Sequence, residues 1–125
     1  MKVLVCGSRR WVAQAPIERE LRKLPPGTII VHGAARGVDN IAGYVGERLG
    51  FIVRAYPADW DQHQKAAGSI RNSQMLKEEH PDPAGVYIDL VLAFHEDPDL
   101  GKGTRDMVTK ASKAKPAIRI ETHFR

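Results

Sequence analysis

Five short aliphatic segments alternate along this chain with four segments of helical spacing, and that alternation constrains the fold more than any other feature. Val3–Cys6, Thr28–His32, Ile52–Ala55, Ile88–Phe94 and Ala117–Ile120 read as strands. Several are nearly continuous apolar runs, as a strand must be when both faces of its sheet are covered. Ile17–Leu24, Val38–Leu49, Ala66–Lys77 and Thr104–Ala114 read as helices between them. Strand, helix, strand in short order implies βαβ units with right-handed crossovers. The expected fold class is therefore α/β: a doubly wound, mainly parallel β-sheet with helices on both faces.

Local punctuation agrees. Pro16 suits the first turn of the first helix, and Pro25-Pro26-Gly27 stops it. Gly50 follows Leu49 as a C-terminal cap, and the strand at Ile52 starts directly afterwards. His80–Gly85 reads as a turn before the fourth strand. With 125 residues, no internal repeat and no linker, the chain reads as one domain over 1–125.

Composition excludes several classes. Cys6 is the only cysteine, so neither an intramolecular disulfide nor a cysteine-cluster metal site is possible. The opening apolar stretch Val3–Val5 is too short for a signal peptide or a membrane span, so a cytoplasmic setting without membrane partners is expected. The formal charge of +4 hints at anionic partners, but it is local. Lys110, Lys113, Lys115, Arg119 and Arg125 against the single acid Glu121 account for all of it, and the preceding residues balance.

In a doubly wound sheet ligands bind outside the carboxyl ends of the strands, near a switch in strand order. Four loops therefore matter. The first is Gly7-Ser8-Arg9-Arg10-Trp11, where a small residue admits a phosphate or ribose, Ser8 can donate a hydrogen bond and the arginines can pair with phosphate. Trp11 is either a stacking platform for a base or a tryptophan packed against the sheet edge. The second, Gly33-Ala34-Ala35-Arg36-Gly37-Val38-Asp39, runs from a strand into a helix and presents free N–H groups there. It is neither GxGxxG nor a P-loop. Asp39 either complements the helix dipole or accepts from a ribose hydroxyl or an amine.

The third block is Tyr56-Pro-Ala-Asp59-Trp60-Asp-Gln-His63 followed by Lys65-Ala-Ala-Gly68-Ser-Ile-Arg71-Asn72. It reads as a long loop, costly to order without purpose, with Arg71 and Asn72 early on the next helix. The fourth, His95-Glu96-Asp97-Pro-Asp99-Leu-Gly101-Lys-Gly103-Thr104-Arg105-Asp106, offers a second phosphate cradle in Gly101-x-Gly103-Thr104. Its acids lack the alternating spacing of a calcium loop, and no histidine pair sits at ligand spacing, so no metal is expected. No cofactor is expected either.

These blocks together resemble the small YspA-type, YpsA-related branch of the SLOG superfamily, relatives of the LOG phosphoribohydrolases and of DprA. The blocks that carry the resemblance are Gly7-Ser8-Arg9, Gly33–Asp39, Pro57-Ala58-Asp59-Trp60, Ala67-Gly68-x-x-Arg71-Asn72-x-x-Met75 and Gly101-x-Gly103-Thr104. They run in order across roughly residues 3 to 120. The resemblance implies a Rossmann-like domain, often in a homo-oligomer (dimer or tetramer), that binds a nucleotide-like small molecule at the strand carboxyl ends. Carried over by position, Gly7, Ser8, Gly33, Asp39, Arg71, Asn72, Gly103 and Thr104 would line that pocket. Arg9, Ala34, Arg36, Gly37, Asp59, Trp60 and Gly101 join them from the loops.

Three functions follow as expectations. The leading one is binding of a nucleotide or nucleotide derivative, in order to sense, sequester or process it. The second is a LOG-like phosphoribohydrolase, with Arg71 and Asp106 as the catalytic pair. LOG enzymes carry Gly-Gly-x-Gly-Thr-x-x-Glu, whereas here Leu100 precedes Gly101, Met107 stands three residues after Thr104, and Asp106 falls one residue early. One residue is about 100° of helix rotation. The third is DprA-like binding of single-stranded DNA, which needs a continuous basic groove. Loops 7–12, 33–39, 57–71 and 95–106 hold seven basic and seven acidic residues, a balance that favours a small anion over a nucleic acid.

Overall fold

A computed structural model describes residues 1–124. Five strands, β1 (Lys2–Gly7), β2 (Ile29–His32), β3 (Ile52–Ala55), β4 (Leu90–His95) and β5 (Arg119–Phe124), form one sheet in the order β3-β2-β1-β4-β5. Every pairing is parallel, with Leu4 of β1 opposite Val31 of β2 and Val91 of β4. The fold is Rossmann-like α/β.

Strand alternation splits the core into two layers. Val3, Val5, Leu92 and Phe94 pack with Ile17, Leu21, Val38 and Val45 of helices α1 (Gln14–Leu21) and α2 (Val38–Arg48). Leu4, Cys6, Val91 and Ala93 pack on the other face with Met75 of α4 (Ala67–Glu79) and with Met107 and Ala111 of α5 (Gly101–Ser112). Each fully buried aliphatic or aromatic side chain contributes about 1.5–3 kcal/mol. The chain moves outward from β1 through β2 to β3 with its helices on one face. It then returns across the sheet to β4, and a right-handed return must place α4 on the opposite face. Strand order reverses between β1 and β4, so their carboxyl ends diverge there and leave a crevice.

Several boundaries differ from the sequence expectation. The first helix begins three residues earlier, at Gln14, and Pro16 still lies in its first turn. The last begins at Gly101 rather than Thr104, so Gly103 belongs to its first turn. The expected long loop after β3 is largely helical: α3 (Trp60–His63) and a 3-10 turn (Gln64–Ala66) lead directly into α4. Gly50 does cap α2, at φ +82°, while the Phe51 N–H donates to the Gly46 carbonyl at 2.9 Å.

Lys2 is fully buried, which lysines rarely are unless paired. Its Nζ donates to the carbonyls of Glu79 (2.9 Å) and Val86 (3.0 Å) and to Asp82 Oδ2 (2.9 Å). Lys2 Nζ also pairs with Glu79 Oε1 at 2.8 Å, Arg54 reaches that same oxygen at 2.7 Å, and the Tyr56 hydroxyl donates to Oε2 at 2.5 Å. The turn His80–Gly85 thus supplies one wall of a buried charge cluster. No helix among the described residues is long and apolar enough to cross a membrane.

Candidate functional site

A cleft of about 880 Å³ opens at the carboxyl ends of β1 and β4, where strand order reverses. That volume lies within the usual range of small-molecule sites, roughly 300–1,000 Å³. Four sequence blocks converge on it. Gly7, Ser8 and Arg9 come from the β1 loop, Gly33 and Asp39 from the β2 loop and α2, and Trp60, Arg71 and Asn72 from α3 and α4. Gly101, Gly103, Thr104 and Asp106 come from α5. A side recess of about 270 Å³ is lined by Ala34 and Arg36 and shares Arg9, Trp60 and Arg71 with the main cleft.

Gly37 and Asp59 line neither space and act on the scaffold. Gly37 sits at φ +77°, and a Cβ there would stand 2.2 Å from the Ser8 carbonyl oxygen. The Val38 N–H donates to that same carbonyl at 3.1 Å, so the β1 and β2 loops are docked backbone to backbone. Asp59 caps α3, accepting from the Gln62 N–H at 3.1 Å. Gly7 is required by packing as well, since its Cβ would fall 2.1 Å from the Phe94 carbonyl oxygen.

Trp11 is no platform for a base. It is 2% exposed, its indole N–H donates to the Ala13 carbonyl, and its ring meets Phe94 edge to face. Trp60 is the accessible indole, 46% exposed, with the Arg9 guanidinium 5.0 Å from its ring centre. That geometry is a cation–π contact at the mouth of the cleft.

The floor is an electrostatic unit. Arg71 is buried, and its guanidinium donates through Nη1 to the Gly33 carbonyl and through Nε to Asn72 Oδ1 at 3.0 Å. Burial pulls its affinity for the proton below the usual arginine value, while Asp39 opposes that effect. Asp39 Oδ2 accepts from the N–H groups of Gly33 (3.1 Å) and Ala35 (3.3 Å). Burial nonetheless pushes its pKa up to about 6, against the opposing pull of those N–H groups, Arg71 and Arg9. His32 holds the next N–H, Ala34, on its Nδ1 at 2.9 Å, and burial lowers its pKa with help from Arg71. The ring thus stays neutral and keeps that acceptor.

On the α5 side, Asp106 is pinned between helices. It accepts from Asn72 Nδ2 (3.0 Å), Ser69 Oγ (3.2 Å) and Lys110 Nζ (2.9 Å). Partial burial acts to raise its pKa, but these three donors outweigh it and hold the carboxylate ionised. Sequence reasoning did not single out Ser69 or Lys110. The signal available was the Asp106–Lys110 spacing of four, a helical ion-pair spacing. His95, Lys65 and Lys102 also line the cleft without having been singled out.

The α5 N-terminus has no side-chain cap and no acid in its first turn. Its first N–H groups lack intrahelical acceptors by construction. A Cβ on Gly103 would meet nothing within 4 Å, so this turn faces open space.

The model of the YspA, cpYpsA-related SLOG family matches residues 1–63. The chain belongs to this family. The SLOG match covers the Gly7-Ser8-Arg9, Gly33–Asp39 and Pro57–Trp60 blocks, and membership points to nucleotide-related ligands in general. The chain is also similar to the Gene 61 protein of Mycobacterium phage D29, 36% identical over 124 residues, with 90% of each chain covered. No solved structure matches.

Proposed function

We propose that this SLOG protein binds a nucleotide or nucleotide derivative, with the phosphate on the first turn of α5 and the base towards Trp60. The observation that carries the reading is the α5 N-terminus: it is uncapped, free of acids and open beside Gly103, and it faces the switch-point cleft. A helix end of this kind attracts an anion through its free N–H groups and dipole. Cations and acids mix along the walls, Arg9, Arg10 and Lys102 against Glu96 and Asp97, which suits a small anion better than a polynucleotide. A homo-oligomer remains part of this proposal, with β3 and β5 as open sheet edges, and light scattering tests it.

A thermal-shift panel of nucleoside mono-, di- and triphosphates, with inorganic phosphate as control, tests the ligand class. A ligand that binds only the native state raises the midpoint. Gly103→Asp should abolish the shift without lowering the ligand-free midpoint by more than a few degrees. No shift from any nucleotide overturns the reading.

One observation favours a phosphoribohydrolase as the second reading: Asp39 is a buried cleft carboxyl with a pKa of about 6. A carboxyl tuned in this way is suited to proton transfer to a departing base. Asp106, held ionised, would serve only to stabilise positive charge on the ribose. Release of ribose 5-phosphate from purine nucleoside monophosphates, lost in Asp39→Asn, supports this reading. Absence of release from every monophosphate removes it.

A further inference from the structure

We propose a divalent-cation site, separate from the cleft, formed by Glu20 of α1 with Glu121 and His123 of β5. Strand alternation puts residues 121 and 123 on one face of β5, and α1 brings Glu20 over them. One carboxylate oxygen of each glutamate and one imidazole nitrogen lie within 4.8 Å of one another. This is the one such group of three among the described residues.

The independent observation is His123 Nε2. The atom is buried and has no hydrogen-bond partner. It points between Glu20 Oε1 at 3.8 Å and Glu121 Oε1 at 3.7 Å, both too far to accept a hydrogen bond. The ring cannot swing away readily, because it stacks on Phe94 with centres 5.0 Å apart and planes 19° apart. The side chain is 30% exposed but its Nε2 is not. An unpartnered nitrogen aimed at two carboxylates, at more than hydrogen-bond distance from either, is an arrangement that a cation between them satisfies once that nitrogen is unprotonated. Tetrahedral coordination with bonds of about 2.0–2.1 Å sets donor atoms roughly 3.3–3.4 Å apart. The two nitrogen–oxygen spacings, 3.8 and 3.7 Å, close to that by a few tenths of an ångström, and the two carboxylate oxygens lie within 4.8 Å of each other.

The outer contacts fit. Arg119 holds Glu121 through Oε2 at 2.5 Å, leaving Oε1 turned towards His123. Lys23 lies on the Glu20 carboxylate at 3.1–3.2 Å and is the cation an ion would displace. Its side chain is 65% exposed and free to swing into water. One imidazole with two carboxylates selects a borderline ion such as Zn²⁺ over calcium or magnesium, which take oxygen ligands. Sequence spacing gave no hint of this site, because the ligands come from segments about a hundred residues apart. Bound there, the ion ties the edge strand β5, which is paired only to β4, onto α1.

The test uses tag-free, chelator-stripped protein titrated with Zn²⁺, and with Co²⁺ as a spectroscopic probe. We expect uptake of one equivalent at micromolar metal or tighter, a raised melting midpoint, and the visible absorption of four-coordinate Co²⁺. Glu20→Gln, Glu121→Gln and His123→Gln should each weaken uptake at least tenfold, and His63→Gln should leave it unchanged. If the β5 variants do not fold, Glu20→Gln on the helix decides alone. Absent uptake, uptake only at millimolar metal, or uptake indifferent to Glu20→Gln overturns the proposal.

Discussion

The guanidinium of Arg71 covers the α-carbon of Gly33: a Cβ built on Gly33 would fall 2.6 Å from Nη1, 2.7 Å from Cζ and 2.9 Å from Nε. The second glycine-bearing loop is thus packed against a buried arginine, and its carbonyl accepts from that arginine's Nη1. The absence of a side chain at 33 serves the arginine first, and any ligand meets the two as one surface.

Gly33→Ala should therefore destabilise by about 1–3 kcal/mol through overpacking, because the displaced guanidinium is buried. Arg71→Lys, with a slimmer head and no planar fork, should cost a similar amount alone. The double variant should cost less than the sum by at least ~0.5 kcal/mol, since lysine leaves room for the new methyl. Urea denaturation of the four proteins measures the coupling, and strict additivity would show that the contact is loose in solution.

Asp39 sets a pH dependence. Its folded-state pKa of about 6 lies above the unfolded value near 4, so its protonated form is the one the fold prefers. Its contribution is fully present below about pH 4 and is lost as pH rises through about 6. The loss amounts to at most about 3 kcal/mol. Denaturation midpoints of wild type and Asp39→Asn between pH 4 and 7 check this, and the slope should be shallower in the variant. Nucleotide affinity should fall over the same interval, because an ionised Asp39 repels phosphate.

Lys2 is held by two acids and two carbonyls with no access to water. Lys2→Met should destabilise by about 3–5 kcal/mol, because Glu79 and Asp82 lose their buried counter-charge. Adding Glu79→Gln and Asp82→Asn should recover a large part of that loss. A single variant within 0.5 kcal/mol of wild type, on the order of an ordinary surface change, would contradict the buried cluster.

Trp60 is the exposed indole of the two, so quenching of tryptophan fluorescence by an added nucleotide should come from it. Trp60→Phe should remove most of that quenching. Trp60→Ala should weaken binding by about 1–3 kcal/mol, the usual worth of one stacked base. Equal quenching with and without Trp60 would place the base elsewhere.

Much of the fold was legible because sheet and helix periods are local. The apolar runs at Val3–Cys6, Thr28–His32 and Ile88–Phe94 read as strands, with Gly7, Gly33 and Gly37 marking the loops after the first two and Gly101 and Gly103 the start of the helix after the third. The third block reads as a loop in the sequence because Trp60–His63 is too short to show a helical period. Trp11 stayed ambiguous because an indole after a first strand suits either a core or a ligand, and only its seat beside Phe94 distinguishes them.

The chain's own order of residues determined the α/β class, the positions of the loops and the family. What only the tertiary structure decided are relations between distant segments. Lys2 meets Glu79, Arg71 covers Gly33, Asp106 locks to Ser69, and His123 faces Glu20. Spacing along the chain encodes local geometry, whereas the protonation of Asp39 or the burial of Lys2 depends on what the sheet crossover brings alongside. Desolvation and close packing act through space, and no local pattern carries them.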